Sequence, residues 1–275
     1  MFAQKVAVER GMDSYLLTAF SAGASFVFGA IIMSATSSWG DIPTSVYGYA
    51  VFGGVLFIIF SVLRMEALKH IDATIFFPLY KVIGPAVTAL IGIFVLSETI
   101  TTTEGIGIVL SCIVPLLLIT RAENSRQKNL TLGLILLAIG AFLASVSAAV
   151  NAYAIGDVAS YALPLLVVTH LFSFFFGVAL FLRKHKPSEM VQALRTLSKP
   201  FFIFFSIGMG IVQFLAFYAL LLAFSDGGLS LAYAINAHYF IIPVILSIWF
   251  YGEHWNVQKI LALILSLSAV ALLYH

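Results

Sequence analysis

Charge is scarce in this sequence: Asp, Glu, Lys and Arg make up 9% of its 275 residues, whereas soluble domains carry about a quarter. With a mean hydropathy of +1.07, that scarcity excludes a soluble enzyme, a nucleic-acid binder and a disordered chain. Cysteine is limited to Cys112, inside an apolar run, so no intrachain disulfide can form. The six histidines show no HxxxH or HxxE spacing; no metal site and no cofactor are expected. Alternating polar and apolar residues of barrel strands are also missing, which leaves helices as the spanning solution. Asp and Glu are also missing from the deep parts of the apolar runs.

Long apolar runs are abundant. A helix crosses a hydrocarbon core of about 30 Å with roughly 20 apolar residues. Nine runs approach or exceed that length: 14–36, 46–68, 73–96, 102–120, 130–150, 160–182, 201–224, 229–250 and 257–274. The sequence therefore predicts an all-α membrane protein, a polytopic bundle of nine spans. Residues 1–12 carry Lys5 and Arg10, but the run that follows is too long for a signal peptide. The longest connection, Arg183 to Lys199, contains Ser188-Glu189-Met190-Val191 with Leu194 and Leu197. It reads either as an amphipathic stretch on the membrane surface or as an ordinary basic loop.

Thirteen of the fourteen Lys and Arg fall on one side if nine spans alternate: Lys5, Arg10, Arg64, Lys69, Arg121, Arg126, Lys128, Arg183, Lys184, Lys186, Arg195, Lys199 and Lys259. The opposite loops, 37–45, 97–101, 151–159 and 225–228, hold none. Positive loops stay cytoplasmic. The expected location is the cell membrane, plasma or inner, with the N-terminus cytoplasmic and His275 outside.

An internal repeat follows. Residues 77–119 and 232–274 align at a shift of 155, which places Ser97-Glu98 on Gly252-Glu253. Each copy is a long span ending at the Glu, a short polar turn and a closing apolar span. Glu98 would lie outside and Glu253 inside, so the two units have opposite topology, the inverted repeat of secondary transporters.

The stretch ALKHIDATIFFPLYKVIGPAVTALIGIFVLSET, its counterpart LSLAYAINAHYFIIPVILSIWFYGEH, the closing apolar helix of each half and the overall spacing resemble the drug/metabolite transporter superfamily, EamA-like branch. The resemblance covers nearly the full chain and implies ten helices in two five-helix halves. Here residues 1–120 form a first repeat of four spans and residues 121–275 a second of five. The opening QKVAVERG looks like the loop after an absent first helix, so truncation is an expectation.

Lys81 is the fourteenth basic residue, nine residues past Asp72, about 13 Å deep in its span. A mid-membrane Lys costs roughly 2.5–3.5 kcal/mol on insertion scales, and its alternative is to snorkel to the interface. Thr74, Phe77, Gly84, Pro85 and Thr88 lie on or near its helical face. In the opposite half, Asn236 and His238 reach a similar depth, with Tyr233, Phe240 and Pro243 on or near the face of Asn236. His170 and Gln213 are also near mid-depth, and Tyr80 and Tyr239 are plausible cavity residues. The substrate-binding candidates are Lys81, Tyr80, Phe77, Thr88, Tyr233, Asn236, His238, Gln213 and His170; for the polar ones a helix-packing hydrogen bond is the alternative role.

The acids read as structural. Asp72 is an N-cap, Thr101 to Glu104 a capping box, Glu98 and Glu253 brace span ends, and Glu66 pairs with Arg64 at the inner boundary. Proton-driven export of organic cations needs a buried carboxylate; this chain offers a buried ammonium group. Its expected partner is a small-molecule substrate bearing a carboxylate or similar anion, such as an amino acid or organic acid, moved by alternating access with the bilayer as solvent. A non-transporting accessory subunit and a membrane-embedded enzyme on lipid-linked substrates are the competing expectations.

Overall fold

The computed structural model describes residues 2–36, 43–117, 129–156, 158–186, 190, 195, 199–240 and 257–274. Every regular element among them is helical: α1 (Phe2–Glu9), α2 (Ser14–Thr36), α3 (Thr44–Ala67), α4 (Ala73–Phe94), α5 (Thr102–Leu117), α6 (Leu130–Ile155), α7 (Ala162–Lys184), α8 (Pro200–Ala237) and α9 (Val257–Tyr274), with short 3-10 turns before α7 and after α8. Six of these, α2, α3, α4, α6, α7 and α8, are long and apolar enough to cross a membrane. Large apolar side chains such as Phe94, Phe175, Phe204 and Leu267 point outward, as a lipid-facing surface requires. The chain is a multi-pass helical membrane protein.

α8 is two helices in one. Gly228 has φ 75° and ψ 171° in the middle of it, a conformation essentially reserved for glycine. The chain turns there between limbs 200–227 and 229–237. This break falls at the Gly228 boundary that the hydropathy pattern placed between two spans. Residues 241–256, including Pro243, Gly252 and Glu253, lie outside the described residues, as do the basic loop residues Arg121, Arg126 and Lys128 and most of the stretch 188–197.

Small residues set the helix contacts. Three hydroxyls each cross to a glycine carbonyl on the neighbouring helix: Ser25 to Gly210 at 2.8 Å, Ser173 to Gly54 at 3.1 Å and Ser145 to Gly84 at 3.1 Å. They tie α2 to α8, α7 to α3 and α6 to α4. At Gly210 a Cβ would stand 2.5 Å from the Ser21 carbonyl, so a glycine is needed for that approach.

The two ends of the bundle are chemically different. At one end Asp13 caps α2, accepting from Tyr15 and Leu16 at 3.0 and 2.9 Å, and pairs with His185 at 3.1 Å. Glu66 takes Lys69 at 2.7 Å and Lys184 at 3.9 Å. The expected Glu66–Arg64 pair is thus replaced, because Lys69 on the next turn and Lys184 from α7 both reach that carboxylate. α1 lies at this end with Ala7 packed among Met12, Leu17, Met65 and Phe202. The sequence reading treated this segment as loop; one apolar stripe and a Lys5–Glu9 pair make it a short helix.

At the other end the capping box forms as expected: the Thr101 N–H and hydroxyl donate to Glu104 at 2.7 and 2.8 Å, and the Glu104 N–H donates to Thr101 at 3.3 Å. Asp72 occupies the N-cap position of α4, but its side chain makes no cap hydrogen bond. Glu98 braces more than its own turn. Its carboxylate accepts from the Leu229 N–H at 2.5 Å, the Ser230 N–H at 3.0 Å and the Ser230 hydroxyl. It therefore caps the second limb of α8 from the end of α4, where the helix N-terminus favours an anion.

Candidate functional site

α4 and the second limb of α8 run antiparallel, and their middles touch. Pro85 has no N–H for the Lys81 carbonyl, and two hydroxyls, Thr88 at 2.7 Å and Ser145 at 3.1 Å, converge on the carbonyl of Gly84, three residues further along. The turn that carries Lys81 is thus backed by α6. Lys81 is 7% exposed. Its Nζ donates to the Asn236 backbone carbonyl at 3.4 Å and lies 3.8 Å from the centre of the Tyr239 ring. The side chain stays in the bundle and does not snorkel to the boundary.

These residues line a cavity of about 870 Å³ that extends from Gln4, Arg64 and Phe204 at the basic end to Phe224 and Tyr233 toward the Glu98 end. Of the nine candidates from the sequence, Lys81, Tyr80, Tyr233, Asn236 and Gln213 line it; Tyr239 does as well. Phe77, Thr88, His170 and His238 do not. Phe77 packs edge-on against Phe76 at 5.5 Å. Thr88 is fully buried and spends its hydroxyl on its own helix. His170 is fully buried beside Phe57 at 5.1 Å, and neither ring nitrogen has a hydrogen-bond partner. His238 turns away from the cavity: its Nε2 meets the Ser111 hydroxyl at 2.7 Å and its Nδ1 meets the Ser266 hydroxyl. It bridges α5 and α9. For these four, rotation about the helix axis, set by packing, aims the side chain away from the cavity.

Four polar residues of the cavity wall are not among the candidates from the sequence: Arg64, Asn151, Ser147 and Gln4. Arg64 sits near the boundary in sequence, yet its guanidinium turns inward, 5.7 Å from the Phe60 ring centre and 5.8 Å from that of Tyr80. Asn151 was placed in a loop because the apolar run ends at residue 150; α6 in fact continues to Ile155. Among the described residues its Oδ1 has no partner, nor do Arg64 Nε, Gln4 Oε1 and Gln213 Nε2. Buried polar atoms are normally satisfied, so this set is equipped to meet a guest or water. The rest of the wall is apolar and aromatic, with Phe60, Phe205, Phe217 and Phe224 prominent, the composition of a small-molecule site. Among the described residues no Asp or Glu lines the cavity, and no group of His, Cys, Asp and Glu could hold a metal.

A multi-pass helical bundle around a cationic, largely apolar central cavity is the class these features define. A protein of solved crystal structure, 16% identical in sequence, superposes with a TM-score of 0.73 over 98% of this chain and 91% of its own. At that identity the likeness concerns the fold alone. No family model matches the sequence, and no curated protein matches it.

Proposed function

We propose that the chain is a secondary transporter of the drug/metabolite type. It moves a small anionic metabolite across the cell membrane by alternating access of two inverted halves. The observation that carries this reading is Lys81, an ammonium group buried at mid-helix in a cavity wall and meeting Asn236 from the opposite half. A charge held at that depth costs several kcal/mol without a partner and marks a substrate path.

The inverted arrangement draws support from contacts as well as from sequence. Lys81 and Asn236 are 155 residues apart, the shift of the internal repeat, as expected for residues on a pseudo-two-fold axis. Gly84 lies against Tyr233, where its Cβ would stand 3.3 Å from the ring, so with Lys81–Asn236 the contacts run in antiparallel order. Ser111 and Ser266, equivalent by the same shift, both bind His238. The Ser25–Gly210 bond between α2 and α8 has its likeness in the Ser173–Gly54 bond between α7 and α3. On this reading nine spans cross the membrane. The end that carries Lys69, Lys184 and α1 faces the cytoplasm and the Glu98 cap faces outside. The substrate anion meets Lys81, while Asn236 and Tyr233 supply hydrogen bonds.

A single experiment tests the reading. Purified wild-type protein and Lys81→Met are reconstituted in liposomes, and uptake of labelled organic acids and amino acids is measured. Saturable uptake by wild type and its loss, about tenfold or more, in the variant are expected. Full uptake by Lys81→Met overturns the role of Lys81.

One observation favours a second reading, in which a further helix completes the bundle. α6 covers the face of α3 at Gly53, whose Cβ would meet Asn151 at 3.2 Å. The equivalent position on α8, Gly208, meets nothing within 4 Å among the described residues, and the neighbouring Phe204 and Val212 are 75% and 67% exposed. Transport by the purified chain alone would decide against that requirement.

A further inference from the structure

Two basic side chains share the cavity, and no Asp or Glu among the described residues faces them. Lys81 has three N–H donors, of which one long bond to Asn236 is drawn at 3.4 Å. Arg64 lies near two aromatic rings, its Nε is buried without a partner, and it forms no salt bridge with a described residue. The carboxylate two residues along, Glu66, is engaged by Lys69 and Lys184. Uncompensated charge in a low-dielectric space is unstable, and two cations in one cavity also repel each other. One negative charge answers half of this demand. A zwitterion answers it worse, because its ammonium group would be a third cation in a wall without acid. Arg adds a planar fork suited to carboxylate or phosphate oxygens, whereas Lys supplies a point charge.

We infer that the cavity is built for an organic dianion without a free ammonium group, with Arg64 as a second substrate-binding cation beside Lys81. This narrows the transporter reading and rests on it: among metabolites it favours dicarboxylates or phosphate monoesters and disfavours amino acids. Asn151 and Gln213, with unpartnered Oδ1 and Nε2, are placed to bind neutral polar atoms of the same guest. The aromatic wall encloses its carbon body.

The test is thermal unfolding of the purified full chain in detergent at constant ionic strength. Glutarate and glycerol 3-phosphate are the dianions, butyrate the monoanion, and glutamate and glutamine the amino acids. At least one dianion should stabilise at about tenfold lower concentration than butyrate or either amino acid; which one does so separates the dicarboxylate from the phosphate ester. Arg64→Gln and Lys81→Gln should each erase that preference. Because a neutral residue at Arg64 can impair folding, Arg64→Lys serves as the control and should retain a preference for the dianion. Equal stabilisation by butyrate or glutamate, no stabilisation by either dianion, or an unchanged preference in Arg64→Gln overturns the inference. Selective dianion binding without movement into liposomes leaves the inference standing and defeats the transporter reading. Transport without dianion preference does the reverse.

Discussion

At the scale of single residues, the side chains near mid-depth divide by what they do with their polar atoms. Lys81, Arg64, Asn151 and Gln213 keep donors or acceptors directed at the cavity, whereas Thr88 spends its hydroxyl on its own helix and Ser145 and His238 bond to neighbouring helices. The second group is structural, and His238 is its test. Replacing it with Ala removes bonds to Ser111 and Ser266; the buried Ser111 hydroxyl keeps its bond to the Gly107 carbonyl, while that of Ser266 loses its His238 partner. The expected loss is about 1–3 kcal/mol of stability, read as a lower unfolding temperature. Ligand stabilisation measured relative to the variant's own baseline should be retained, since His238 is not part of the cavity wall. A selective loss of ligand binding at unchanged stability would return His238 to the site.

At the scale of elements, the junction between α4 and the second limb of α8 joins the two halves of the sequence through one carboxylate. Glu98 caps a helix whose first residue lies 131 positions away, and Gly228 supplies the positive φ that starts it. Glu98→Gln keeps the shape but weakens the anion at the helix N-terminus, and about 0.5–2 kcal/mol should be lost. Gly228→Ala should cost about 1–3 kcal/mol from backbone strain, because its Cβ would also stand 2.9 Å from Glu98 Oε1. The two sites touch, so the double variant should depart from the sum of the singles. Additive losses in a double-mutant cycle would show that the cap and the turn are independent.

Legibility also differs by element. The capping box at Thr101, the start of a new helix at Gly228 and the depth of Lys81 could all be read from the sequence, because each follows from local chemistry: a cap spacing, a glycine, a count of residues along a helix. Arg64 could not. Three residues from the end of its helix it reads as a boundary residue, and only the packing of Phe60 and Tyr80 beside it turns its guanidinium inward. Asn151 was missed for a related reason: an apolar run is shorter than the helix that contains it when the extra turns face protein instead of lipid.

At the scale of the whole molecule, the asymmetry of charge becomes an orientation. The end bearing Lys69, Lys184, His185 and the Asp13 and Glu66 carboxylates should face the cytoplasm, since Lys and Arg near span ends are retained there. Fusions check this directly. A phosphatase active only outside should be active on the C-terminus and inactive on the N-terminus, and the reverse result would invert the proposed topology.

The sequence alone determined that this chain lives in a membrane, roughly where its long apolar helices begin and end among the described residues, and that one Lys falls in the middle of such a helix. Those properties belong to single helices: hydropathy, length and the cost of charge in hydrocarbon do not depend on which neighbour a helix has. Which polar residues share a cavity was decided only by the tertiary structure. The contact of Lys81 with Asn236, the inward turn of Arg64, the diversion of His238 to two serines and the capping of α8 by Glu98 all depend on the rotation of each helix about its axis. Close packing of small residues between helices sets that rotation.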